Sequence, residues 1–292
     1  MRRDHVDPEL EEGRFVFRGV TYGSMRWGIL RSGVAPLVLL HGFAQSASSW
    51  DEVAPCLART RPVVALDLVG HGCSDRPLDA RRYRLDEAAA ATCAFLEHLA
   101  DGAGVAAVPV VGYSMGGRVA LAAAQRDARP FAALVLESAG LGPVDEGERA
   151  QAAARDACHA ARLRSEGLEA FMDDWARLPL FVTQGELPVS TQQRIRRGRL
   201  SNDAEALARS FEGAGQHVMP LRAETLSSLA CFPAPVLYLA GGRDRTYREI
   251  AQDLRAEGVC AVRIVEGAGH NVHLEAPERF CAAISDFIAN LR

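Results

Sequence analysis

Eight short apolar runs punctuate the chain, at residues 14–20, 24–30, 35–40, 62–68, 107–111, 132–137, 235–240 and 261–265. The last six are unbroken and rich in Val and Leu where a half-exposed strand would alternate, so they predict strands covered on both faces. Between them, apolar residues at three- and four-residue spacing, as in 85–99 and 117–125, predict helices. Strand and helix in alternation predict an α/β fold: a mostly parallel central sheet flanked by helices, with its ligand site at the C-terminal strand ends. The first two runs precede any helix and predict an antiparallel hairpin on the sheet edge.

The alternation stops over residues 142–221, where helical patterns at 146–165, 168–176, 190–200 and 203–213 follow one another with no strand pattern between them. This predicts an all-helical cap inserted into a core made of 1–141 and 222–292. Over the strand ends, such a cap would exclude water and select substrate. At 292 residues and 48% hydrophobic content, the chain is long enough to bury a core of this size.

Seven cysteines stand singly at Cys56, Cys73, Cys93, Cys158, Cys231, Cys260 and Cys281, with no Cys-x-x-Cys pair and no Cys/His cluster of metal spacing. That predicts no metal site and fits a reducing, cytoplasmic compartment. Residues 1–13 are charged and hold no apolar signal-peptide core, and no run is long enough to span a bilayer, so neither export nor stable membrane association is expected. A net charge of −4 provides no general attraction to nucleic acid. Affinity for an anionic ligand would come from local arginines, as in the cluster Arg194, Arg196, Arg197 and Arg199, most of which read as a solvated helix face. The expected assembly is a monomer or small homo-oligomer.

Candidate chemistry begins where run 107–111 ends, in Gly112-Tyr113-Ser114-Met115-Gly116. A strand turning sharply into a helix strains its central residue and needs glycines where chain passes close to chain, which is the nucleophile-elbow pattern. The helix that follows aims its first amides at the serine, a setting that favours negative charge. A serine hydroxyl needs a histidine to take its proton and an acid to orient that histidine. His270, in Gly267-Ala268-Gly269-His270, follows the last run, and Asp244, in Gly241-Gly242-Arg243-Asp244, follows the run before it. Ser114, Asp244, His270 is the chain order of an α/β-hydrolase triad. Glu137, after run 132–137, is the rival acid, whereas Asp67 comes too early and organises the loop Gly70-His71-Gly72. In Leu40-His41-Gly42-Phe43, Gly42 lets the backbone approach, so the Phe43 and Met115 amides are the expected oxyanion hole. The His41 side chain reads as a brace beneath the site.

Further motifs narrow the reading: Trp50, Gly116-Gly117-Arg118, Leu136-Glu137-Ser138-Ala139, Trp175-Ala176-Arg177-Leu178-Pro179-Leu180-Phe181, Arg199-Leu200-Ser201-Asn202 and Gly269-His270-Asn271-Val272-His273-Leu274-Glu275. Together, over residues 37–288, they resemble the 2-succinyl-6-hydroxy-2,4-cyclohexadiene-1-carboxylate synthases of menaquinone biosynthesis, a branch of the α/β-hydrolase fold. The resemblance implies a lyase in which His270, oriented by Asp244, activates Ser114 as the base and pyruvate is expelled, with no acyl-enzyme, cofactor or metal. It also implies a polycarboxylate substrate held by Arg118 and Arg199, with Tyr113 and Trp175 lining the same pocket. One position departs: the arginine expected in the first cap helix is Ala152, with Arg149 and Arg155 on neighbouring turns as the possible replacements. Two other readings fit the same triad, a hydrolase acting on an ester or on a carbon–carbon bond beside a carbonyl, and a ligand receptor with negligible turnover.

Overall fold

A computed structural model describes residues 10–289; residues 1–9 of the charged N-terminal segment and residues 290–292 lie outside the described part. Eight strands, β1 (Leu10–Phe17), β2 (Val20–Trp27), β3 (Leu37–Leu40), β4 (Val63–Leu66), β5 (Val108–Tyr113), β6 (Phe131–Glu137), β7 (Val236–Gly241) and β8 (Ala261–Val265), form one sheet in the order β1-β2-β4-β3-β5-β6-β7-β8. The hairpin β1–β2 pairs antiparallel and joins β4 antiparallel, and every later pairing is parallel.

Two strand expectations need correction. The first run crosses a turn, because Arg18 and Gly19 both take positive φ (49° and 77°) in a two-residue hairpin loop, so β1 ends at Phe17 and β2 begins at Val20. The last run is not covered on both faces: β8 is the sheet edge, and its residues alternate in exposure, with Arg263 facing solvent.

Helices cover both faces. On one, α2 (Leu85–Ala103), α3 (Met115–Arg126), α8 (Arg222–Ala230) and α9 (Arg245–Ala256) share an apolar cluster with Val38, Leu40, Val110, Leu134 and Tyr238. On the other, α1 (Ala54–Leu57), α10 (Val272–Glu275) and α11 (Pro277–Ala289) enclose Trp50, Leu39, Val111, Tyr113 and Leu239. Strand alternation sets this division, since Val110 and Val111 point to opposite faces. The strands at the centre of the sheet, β3 to β7, are buried almost throughout, as parallel strands between helical layers must be.

Between β6 and β7 stand α4 (Glu146–Glu166), α5 (Leu168–Ala176), α6 (Val189–Leu200) and α7 (Ala204–Ala214), with a 3₁₀ turn at Pro179–Glu186. Asp145 and Asp203 cap α4 and α7 by accepting from Glu148 N–H and Ala206 N–H. A third apolar cluster, built on Ala160, Leu163, Phe171, Met172, Leu207 and Phe211, reaches the core through Ala44 and Phe43. Helix α8, which hydrophobic spacing alone left unassigned, puts Leu226 and Leu229 against the sheet cluster. Among the described residues no helix is long and apolar enough to cross a membrane.

Candidate active site

Ser114 sits between β5 and α3 at φ 50°, ψ −108°, a backbone conformation rarely taken outside glycine. Its neighbours show why the elbow needs glycines. A Cβ on Gly116 would lie 2.2 Å from the Leu40 carbonyl oxygen, and one on Gly112 would lie 2.5 Å from that of Gly116. The elbow is closed by the Ser114 N–H, which donates to the Glu137 carbonyl at 2.8 Å.

Three successive elements bring the other groups to it. His270 Nε2 lies 3.1 Å from Ser114 Oγ, and His270 Nδ1 lies 2.6 Å from Asp244 Oδ2. A carboxylate only accepts, so Nδ1 carries the proton and Nε2 is free to accept the serine proton. Both His270 and Asp244 are buried, which strengthens their interaction. Asp244 also caps α9, accepting the Tyr247 N–H at 3.3 Å. The Tyr247 ring, on the helix that Asp244 caps, lies 4.7 Å from that of His270. Glu137, the rival acid, is bonded instead to His273 at 2.8 Å.

Met115 follows Ser114 as the first residue of α3, and Phe43 comes three residues after the end of β3, the strand paired with β5. After Phe43 the chain folds back through Ala44 at φ 56°, with Gln45 N–H bonded to the Gly42 carbonyl at 3.2 Å and Gln45 Oε1 accepting from Gly42 N–H at 3.2 Å. Below this turn, His41 Nε2 accepts the Leu68 N–H at 3.0 Å and Nδ1 meets the Gly42 carbonyl at 2.8 Å, tying β3 to β4. Burial pushes His41 down to about 4 and His71, 5.2 Å away, down to about 3. Asp67 accepts from the Ala47 and Cys73 amides and so organises the adjoining loop.

These two histidines predict a pH dependence. Held neutral when folded, each binds a proton in the unfolded chain below about pH 6.5, so the unfolded state takes up more protons as pH falls and stability drops. From pH 7 to pH 5 the expected loss is about 2 kcal/mol per histidine. Urea midpoints at the two pH values check it, and His71→Phe should flatten the difference by about that amount of 2 kcal/mol.

The arginines separate into two kinds. Arg194 pairs with Glu52, and Arg196 with Glu169 and Asp173, on the surface. Arg199 is buried, donates to Gln184 Oε1 at 2.9 Å and lies over the Phe181 ring at 5.0 Å. Arg118 donates from Nη2 to the Ala214 carbonyl at 3.2 Å, and its buried Nε has no partner. Burial lowers the pKa of both guanidiniums. Among the described residues neither has a carboxylate within ion-pair distance. Asp156, the acid whose charge Arg118 feels, is bonded to His217 at 2.9 Å. Arg199 and Gln184 both line a cavity of 330 Å³ within the helical insertion, and Gln184 Nε2, which spacing did not single out, is buried without a partner.

Tyr113 and Trp175 pack in different apolar clusters. Tyr113 follows the face of Val111, beneath the triad, with its ring 5.3 Å from His270 and 5.0 Å from His273. Trp175 packs above, against Phe43, Phe171, Phe181 and Phe211. Alternation along β5 decides this: Ser114 turns up at the strand end and Tyr113 turns under.

The sequence profile of the alpha/beta hydrolase family matches residues 37–283. The chain belongs to that family. Within the family it resembles a particular group of enzymes. It is 34% identical over 256 residues to a Bacillus subtilis (strain 168) protein provisionally named as 2-succinyl-6-hydroxy-2,4-cyclohexadiene-1-carboxylate synthase, covering 87% of this chain and 90% of the relative. It is 32% identical over 262 residues to the Salmonella typhimurium protein of that name, covering 89% and 94%. The solved structure of MenH from S. aureus superimposes with a TM-score of 0.82 at 29% identity, covering 91% and 97%. A thermophilic esterase from Thermogutta terrifontis, 23% identical with a TM-score of 0.78 over 96% and 99% of the two chains, shares the fold.

In this alpha/beta hydrolase, Ala152 is buried on α4. Arg149 is committed to structure: it donates to the His217 and Met219 carbonyls at 2.7 and 2.8 Å and pairs with Glu146. Arg155 is exposed, and Arg118, His159 and Tyr247 all feel its charge.

Proposed function

We propose that this protein eliminates pyruvate from 2-succinyl-5-enolpyruvyl-6-hydroxy-3-cyclohexene-1-carboxylate to give 2-succinyl-6-hydroxy-2,4-cyclohexadiene-1-carboxylate, a step of menaquinone biosynthesis. The observation that carries the proposal is two guanidiniums left without carboxylate partners beside a Ser–His–Asp relay: Arg199, buried against the Phe181 ring that packs on His270, and Arg118, partly buried on the first turn of α3 after Ser114. Taking such charges out of water is unfavourable unless something anionic meets them, and a polycarboxylate does. A simple ester gains little from them.

In this reading Ser114 Oγ gives its proton to His270 Nε2 and takes one from a ring carbon of the substrate. The freed electron pair at C2 forms the C2–C3 double bond, the C3–C4 double bond shifts to C4–C5, and the carbon–oxygen bond from C5 to the enolpyruvyl group breaks. Asp244 stabilises the imidazolium, which returns its proton to the departing enolate, giving pyruvate. The Phe43 and Met115 amides stabilise the charge on a substrate oxygen, an effect worth about 3 kcal/mol per donor in a dry site. The insertion over 142–221 serves as the cap. Arg155, on the turn after Ala152 and within electrostatic reach of Arg118, takes the place of the missing arginine.

The test supplies the purified protein with the intermediate, generated in situ, and compares pyruvate release with hydrolysis of a simple aryl ester. A ratio far in favour of pyruvate is expected. Faster ester hydrolysis would assign a hydrolase, and saturable binding of the intermediate without turnover would assign a receptor.

A further inference from the structure

A second histidine–carboxylate pair lies beneath the first and has no part in the proton transfers above. Glu137 and His273 have fully buried side chains. Glu137 Oε1 accepts the His273 main-chain N–H at 3.0 Å, and its two oxygens lie 3.0 and 2.8 Å from His273 Nδ1. Trp50 stacks on the imidazole with centroids 3.9 Å apart, Tyr113 meets it edge-on at 5.0 Å, and Nε2 has no partner. A buried carboxylate–imidazole pair with an unused ring nitrogen is weak support for stability alone, since apolar residues of the same volume commonly do better.

What distinguishes the pair is where it is attached. The Glu137 carbonyl accepts the Ser114 N–H, so this one residue holds the elbow through its main chain and the histidine loop through its side chain. Ser138, immediately after it, is fully buried at φ 46°, a strained non-glycine residue at the exit of β6. The rest of the loop is closed by Glu275, whose carboxylate accepts the Gly269 N–H at 2.7 Å and the Asn271 N–H at 3.3 Å. His270 therefore stands on a loop fixed on either side by Glu275 and anchored to the elbow by Glu137. Tyr113 fills the space between, touching both imidazole rings.

We infer that Glu137 and His273 are a positioning pair that holds His270 Nε2 within hydrogen-bond reach of Ser114 Oγ. The inference rests on the Ser114–His270 relay of the proposed reaction but not on which substrate is used. A slip of about 1 Å between relay atoms is enough to lower a rate about a hundredfold. Losing the pair should act on the chemical step and leave substrate contacts, which come from other elements, unchanged.

The experiment measures, in the full chain, kcat and KM for the better substrate, the rate at which a fluorophosphonate labels Ser114, and low-field proton NMR of the two bonded Nδ1–H groups. Glu137→Leu and His273→Phe should lower kcat and the labelling rate together by about thirty- to a hundredfold, with KM within about twofold. His273→Asn, which keeps a donor near the Nδ1 position, should recover most of that loss. In His273→Phe one low-field resonance disappears, and the other, from His270, shifts or broadens. Folded Glu137→Leu or His273→Phe protein that labels at the wild-type rate with an unmoved His270 resonance would overturn the positioning role. Where those two do not fold, Glu137→Gln preserves volume and reports the same quantities, with wild-type values again overturning the role. Wild-type protein that the fluorophosphonate does not label would overturn the relay itself, a distinguishable failure.

Discussion

Ser114→Ala is expected to lower pyruvate release by about a thousandfold or more, the range associated with losing a positioned base. The variant should keep the fold, because alanine retains the backbone that donates to Glu137 and the strain at φ 50° is unchanged in kind. His270→Ala should cost as much. The two residues form one proton-transfer unit, with Nε2 and Oγ 3.1 Å apart, so the double variant should be little worse than either single one. Residual activity in all three would come from the Phe43 and Met115 amides and the cationic anchors. The measurement is single-turnover pyruvate release at saturating substrate, alongside a thermal melt. Near-normal turnover by either single variant would remove Ser114 and His270 from the mechanism.

Much of this site is legible in the sequence because its parts fall at strand ends. Ser114, Asp244 and His270 each follow an apolar run, and a parallel sheet delivers such positions to one edge whatever their separation along the chain. The glycines were readable for a related reason. Gly112 and Gly116 mark close approaches that no side chain survives.

Side-chain pairings across layers were not legible. Glu137 reads as a spare acid until the fold carries it to His273, 136 residues away, and no local pattern announces that partner. Arg149 and Arg155 look interchangeable in sequence. Six residues apart on α4, they meet different surroundings: carbonyls of the segment after α7 for Arg149, solvent for Arg155, whose charge reaches Arg118. Apolar spacing misplaces the hairpin turn because Val20 continues the run past Gly19, and turn chemistry overrides that run. Composition does not tell an edge strand from a central one, so the run at β8 reads as covered on both faces although it is the sheet edge.

Arg118→Met carries the other large effect, and it acts on substrate choice. Removing a charged hydrogen-bond donor from a carboxylate is expected to weaken transition-state binding by about 1.5–3 kcal/mol, or roughly ten- to a hundredfold in kcat/KM for the polycarboxylate. Hydrolysis of a neutral aryl ester should change by less than about twofold, since uniform loss of a carboxylate contact leaves a substrate without that group untouched. Folding should respond in the opposite direction. Arg118 Nε is buried without a partner, and burial already lowers the pKa of its guanidinium. An apolar side chain of similar length should therefore raise stability by about 1 kcal/mol or more, even after loss of the bond to the Ala214 carbonyl. A stabilised protein with impaired polycarboxylate turnover is what an anchor held against its own desolvation predicts. If Arg118→Met were instead destabilised and equally active on the polycarboxylate, the guanidinium would be a strut between α3 and α7, and the case for a lyase would rest on Arg199 alone.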